Sequence, residues 1–128
     1  FRRVLFRSVI LETGEIGDPE KIRAAADLAL VAGADFVKTS TGKVAVNATP
    51  EAVRILLEAV KASGRPAGVK AAGGIRTLAD AAGYLALADE VMGPAWATPA
   101  TFRFGASGLL DALLATLDGR PAASGAGY

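Results

Sequence analysis

The feature that most constrains this chain is a helix-start signature that recurs after short strand-like runs. Asp18-Pro19-Glu20 and Thr49-Pro50-Glu51 each place a capping side chain before a proline at the first helical position. The cap oxygen accepts from free first-turn amides, and proline at that position loses no needed donor. Thr77-Leu78-Ala79-Asp80 has the form of a capping box with Asp in place of Glu. Ser107 is the expected cap of a fourth helix. Apolar stripes follow at helical spacing: Ile22, Ala25, Ala26, Ala29 and Leu30; Val53, Leu56, Leu57 and Val60; then Leu109, Leu110, Leu113, Leu114 and Leu117. The third helix is predicted from Thr77 to about Val91, and Trp96 to Ala100 is expected to add a short helical turn. Gly33, Ser63-Gly64 and Gly93-Pro94 supply stops.

Between these helices lie four strand candidates: Val9-Ile10-Leu11, Asp35 to Ser40, Ala67 to Ala72, and Thr101 to Ala106. They recur at roughly 25 to 35 residues, the interval of βαβ units in a parallel sheet. Part of a (β/α)8 barrel and a small doubly wound sheet both fit that order. A whole barrel takes about 250 residues, and this chain has 128, so barrel units would make about half a barrel. Two strands carry a central lysine, unlike the all-apolar strands usual in a doubly wound sheet. The expected fold is therefore α/β, a partial (β/α)8 TIM barrel comprising roughly the last four units, strands 5–8. The expected organisation is residues 9–118 as the C-terminal half-barrel and 119–128 as a flexible Gly/Ala/Ser/Pro tail ending at Tyr128. Phe1 to Ser8 holds three arginines without helical or strand periodicity. It is set apart as a non-native scar that resembles a translated sequencing adapter; a native basic lead-in is the alternative.

Composition narrows the chemistry. The chain has no Cys and no His, which excludes disulfides, a thiol nucleophile, Cys or His metal ligands and a Ser-His-Asp triad. With 14 basic and 13 acidic residues it has no electrostatic footprint for nucleic acid or an anionic membrane. No apolar run is long enough for a membrane span. The lack of cysteine and of an export signal points to the cytoplasm.

Lys38 and Lys70 lie mid-strand among small or apolar neighbours. A shielded ammonium without a partner tends to lose its proton, and a neutral lysine condenses with carbonyls to form a Schiff base. A second cation nearby depresses the pKa further, the role expected of Lys70 toward Lys38. Each lysine could instead snorkel from a strand edge to water. Both, however, are followed by glycine-bearing loops at strand C-terminal ends, where barrel active sites lie. Thr41-Gly42-Lys43, Gly73-Gly74-Ile75-Arg76 and Gly105-Ala106-Ser107-Gly108 are candidate phosphate loops. Glycines let amides approach an anion, and helix N-termini offer free donors; for each glycine, turn geometry alone is the alternative. Gly42-Lys43 lacks the glycine spacing of a P-loop, and no dinucleotide fingerprint follows a strand.

Three segments carry a family resemblance. Asp35-Phe36-Val37-Lys38-Thr39-Ser40-Thr41-Gly42-Lys43 with Val44 to Thr49 resembles the Schiff-base signature of deoxyribose-phosphate aldolase. Gly68 to Thr77 resembles its second-lysine motif, and Phe102 to Ser107 its final strand and phosphate loop. The resemblance implies a class I aldolase without metal or organic cofactor. It would cleave 2-deoxy-D-ribose 5-phosphate reversibly to D-glyceraldehyde 3-phosphate and acetaldehyde in deoxyribonucleotide catabolism. It further implies that Lys38 forms the Schiff base and Lys70 perturbs it and moves protons. Tyr128, where the family's tail often ends in a tyrosine, would assist proton transfer. Gly42, Lys43, Gly73, Gly74, Arg76, Gly105, Ser107 and the Gly108 amide would line the phosphate end. The chain departs from the family in lacking its first four strands and their relay aspartate. The isolated chain is thus expected to be nearly inert and prone to self-association, while the full-length protein would be a homodimer. A non-catalytic phosphosugar-binding fragment and another class I aldolase of the same barrel type are the alternatives.

Overall fold

The computed structural model describes residues 6–121. Phe1 to Leu5 and residues 122–128, Tyr128 included, lie outside them. The elements run β1 (Ser8–Ile10), α1 (Thr13–Ile16), α2 (Pro19–Val31), β2 (Phe36–Lys38), α3 (Pro50–Ser63), β3 (Gly68–Ala72), α4 (Leu78–Met92), β4 (Phe102–Gly105) and α5 (Ser107–Leu117).

The caps act as their residue types dictate. Asp18 accepts from the amides of Glu20 (2.9 Å) and Lys21 (3.4 Å), and Thr49 from Ala52 (3.1 Å). Thr77 and Asp80 close a full capping box: Thr77 Oγ1 accepts from the Asp80 amide at 3.1 Å, and Asp80 accepts from the Thr77 amide at 3.0 Å. Gly64 closes α3 at φ 65°, which favours glycine.

The strands form one parallel sheet in chain order, β1-β2-β3-β4. Side chains alternate between its faces. Val37, Val69, Ala71 and Phe102 point into the core shared with the helices. There they meet Leu30 of α2, the fully buried stripe of Val53, Leu56 and Leu57 on α3, and Ala88 of α4. Each such large side chain contributes about 1.5–3 kcal/mol by leaving water. The alternate positions, Phe36, Lys38, Gly68, Lys70, Ala72, Arg103 and Gly105, line the opposite face. An all-parallel four-stranded sheet with one helix-covered face is the partial (β/α)8 barrel expected from the sequence.

Several expectations need correction. The turn α1 had no sequence signal; Glu12 enters it in the left-handed region at φ 56°. Trp96 to Ala100 forms turns and bends rather than a helical turn. Ser107 is the first residue of α5, not its cap, and the cap position falls on Ala106, which has no side-chain oxygen to offer. Of the α5 leucines only Leu109 is buried; Leu110, Leu113, Leu114 and Leu117 are 40–82% exposed. The reason is position: α5 packs beside α4 at the end of the helix layer. At the N-terminal end of the described residues Ser8 pairs with Phe36, and the Arg7 carbonyl accepts from the Asp35 and Phe36 amides.

Candidate active site

β2 and β3 are hydrogen-bonded in a register that pairs Phe36 with Gly68, Val37 with Val69, and Lys38 with Lys70. Both lysines therefore stand on the same face, one strand apart, and both are half-buried. The pKa of Lys70 is pulled below the ordinary lysine value by burial first, then by the positive charge of Lys38, then by that of Arg103. Gly105 on β4 makes room for it: a Cβ there would lie 3.2 Å from Lys70 Cε and 2.8 Å from Ala72 Cβ.

The C-terminal strand ends are tied together by buried hydroxyls. Thr39 and Ser40 are both fully buried. Thr39 Oγ1 donates to the Ala72 carbonyl (3.2 Å) and accepts from the Ala72 amide (3.0 Å); Ser40 donates to the same carbonyl. The loop after β2 is pinned from β1's side, where the Glu12 carboxylate accepts from the Thr41 amide (3.1 Å) and hydroxyl (2.8 Å). On its other side that loop crosses Gly73, where a Cβ would lie 2.5 Å from Asn47 Cβ. The Gly73 amide donates to the Gly105 carbonyl at 3.2 Å, joining the third loop to the fourth strand.

A cavity of about 250 Å³ opens at these ends, lined by Lys38, Thr41, Gly42, Lys43, Ala72, Gly105, Ala106 and Ser107. Of the sequence-predicted site residues it gathers Lys38, Gly42, Lys43, Gly105 and Ser107. Ser107 opens α5, the one long helix among the described residues whose start has no side-chain cap. An anion at this end would meet first-turn amides that no side-chain cap occupies. Gly108 is in the same first turn. Gly74 lies elsewhere, in a depression with Pro50, Asp80 and Tyr84. Arg76 is exposed, and its amide donates to Asp80 at 3.0 Å. Lys70 lines a wider, open depression of about 590 Å³ along β4 with Arg103 and Pro99. The sequence does not single out Glu12 or Arg103, and it marks Thr41 only as part of a candidate phosphate loop. For Arg103 a signal existed, since alternation along β4 puts it on the lysine face.

A profile described as DeoC/LacD family aldolase matches residues 5–114. The chain belongs to the DeoC/LacD aldolase family. It is 57% identical over 121 residues to a deoxyribose-phosphate aldolase of Agrobacterium fabrum, covering 94% of this chain and 47% of that one. The apo-form structure of a Toxoplasma gondii protein provisionally named a deoxyribose-phosphate aldolase superposes with a TM-score of 0.81 at 30% identity, over 92% of this chain and 47% of that one. A deoxyribose phosphate aldolase from Aeropyrum pernix, whose structure is described as tetrameric, gives a TM-score of 0.64 at 28% identity, over 88% of this chain and 42% of that one. The aldolase-family chain thus spans about half the length of these relatives. Among the described residues no helix is long and apolar enough to cross a membrane.

Proposed function

We propose that this chain is the Schiff-base half of a deoxyribose-phosphate aldolase. The observation that carries the reading is the register of Lys38 against Lys70 on the helix-free face, beside a cavity that ends at the uncapped start of α5. In the proposed reaction the Lys38 amine adds to the aldehyde carbon of open-chain 2-deoxy-D-ribose 5-phosphate. Loss of water leaves the iminium. A proton then leaves the C3 hydroxyl, the C2–C3 bond breaks, and D-glyceraldehyde 3-phosphate departs. The bonding pair moves to C2 as an enamine, with the iminium as electron sink. Protonation at C2 and addition of water release acetaldehyde and restore Lys38. Lys70, its proton loosened by burial and by Lys38, exchanges protons in these steps. Gly42, Lys43, Gly105, Ser107 and Gly108 hold the phosphate, with Gly73, Gly74 and Arg76 shaping the neighbouring loop, and Tyr128 serves the acetaldehyde-side proton.

A phosphorylated sugar is a metabolite of the cell interior, so the reading implies a cytoplasmic enzyme. A full-length protein would be a homo-oligomer, a dimer in the simplest case. The chain alone, spanning half of its relatives, supports a second reading for the isolated segment: phosphosugar binding without turnover. Its open sheet edges and the leucines of α5 would drive self-association. The test is acetaldehyde release from 2-deoxy-D-ribose 5-phosphate by a full-length chain carrying this segment. Lys38→Met is expected to reduce it to background while phosphosugar binding persists. Turnover surviving in Lys38→Met would overturn the reading.

A further inference from the structure

Arg103 has no part in the reaction as written, yet it occupies the same ladder row as both lysines. Lys38 pairs with Lys70, and Lys70 pairs with Arg103. Three cations therefore cross three neighbouring strands at one level, with uncharged Ile10 completing the row on β1. Like charges directly opposite one another in a sheet are destabilising. No carboxylate among the described residues forms an ion pair with Arg103.

The arginine is nonetheless held. Its Nε donates to the Pro99 carbonyl at 2.9 Å. Its guanidinium carbon lies 4.4 Å from the centroid of the Phe36 ring, within cation–π range. The Phe36 ring reaches β4 by passing over Gly68, where a Cβ would lie 2.4 Å from the ring edge. Glycine at 68, the ring at 36 and the carbonyl at 99 together hold the guanidinium of the residue whose backbone pairs with Lys70.

We propose that Arg103 is a positioning residue for Lys70: a cation anchored by the Phe36 ring and the Pro99 carbonyl, whose charge acts on the Lys70 amine from β4 as Lys38 acts from β2. Its purpose rests on the aldolase reading, because an easily deprotonated Lys70 matters there for proton transfer. Its geometry does not. The charged groups facing Lys70 from the flanking strands are Lys38 and Arg103, and the helices pack on the other face. The two differ in one respect. The Lys38 nitrogen must be neutral to attack a carbonyl, is cationic as the iminium and is neutral again as the enamine. Arginine keeps its charge, so its push on Lys70 persists in the steps where the Lys38 nitrogen is neutral.

The experiment is an NMR titration of the 128-residue chain carrying carbon-13 lysine, with the Lys70 signal assigned by its loss in Lys70→Arg. Arg103→Met is expected to shift the Lys70 midpoint upward. Arg103→Gln, which keeps a donor for Pro99, is expected to do the same, so the result does not hang on one variant's folding. Arg103→Lys retains the charge and is expected to leave the midpoint near that of the parent. The proposal is overturned if the neutral variants titrate like the parent, or if Arg103→Lys shifts the midpoint as far as they do. Lys38→Met separates the two ideas: an unchanged midpoint there, with Arg103→Met shifted, sinks the two-lysine account and leaves Arg103 standing.

Discussion

Gly68→Ala tests how the sheet face beneath the lysines is packed. The added Cβ would lie 2.4 Å from Phe36 Cε1, 2.8 Å from its Cζ and 2.6 Å from the Thr101 carbonyl oxygen. The ring could swing, but only by leaving Arg103. The carbonyl is backbone and already accepts from the Val69 amide at 2.9 Å, so moving it strains the β3–β4 ladder. Overpacking of this kind costs about 1–3 kcal/mol, and a lost cation–π contact at a partly exposed site about 0.5–1 kcal/mol more. The sum is about 1.5–4 kcal/mol. With a urea slope of about 1–3 kcal/mol per molar, the midpoint should fall by about 0.5 M or more. Trp96, edge-on to Phe102 with centroids 6.4 Å apart, reports the transition by fluorescence. Gly83→Ala supplies a control of opposite sign: that glycine is exposed within α4, and a Cβ there meets nothing within 4 Å. It should stabilise by about 0.5–1 kcal/mol. Equal midpoints for Gly68→Ala and the parent would refute the packing argument.

Other outcomes follow from the same coordinates. Leu56→Ala, at a fully buried position on α3, should cost about 2–5 kcal/mol, read by the same urea titration. The Asp80 carboxyl lies below its ordinary pKa because the Arg76 and Thr77 amides donate to it. Its stabilising effect is therefore present above the unfolded carboxylate value and lost as pH falls through the lower folded value. The gap in Tm between parent and Asp80→Ala should accordingly close on acidification. Thr77→Ala should cost about 1 kcal/mol through loss of the cap. Leu114→Glu with Leu117→Glu should lower self-association, measured by sedimentation, at little cost in stability, since both side chains are largely exposed.

Much of this architecture was legible because its determinants are local. Asp18-Pro19, Thr49-Pro50 and Thr77 with Asp80 act within one helical turn, and each starts its helix where the sequence places it. The α3 stripe needs only helical spacing to be read. What escaped depends on partners distant in sequence. Glu12 meets Thr41 29 residues away, and no local pattern marks a left-handed glutamate. Ser107 resembles a cap by residue type, but the strand–helix junction puts the cap one residue earlier, on Ala106. The α5 leucines read as core by periodicity, whereas burial also requires a neighbour on their side. At the site, the two lysines were recognised from their strand positions and loops, while their pairing is a matter of register. Arg103 lies within the Phe102 to Ser107 segment, and only the register shows that it shares a row with Lys70.

The most direct test of the paired-amine account is the map of ethyl groups left after the chain is treated with acetaldehyde and borohydride at neutral pH. Lys38 should be modified well ahead of the exposed Lys21, with the preference falling in Lys70→Met. Uniform labelling, or adducts led by Lys21, would contradict it.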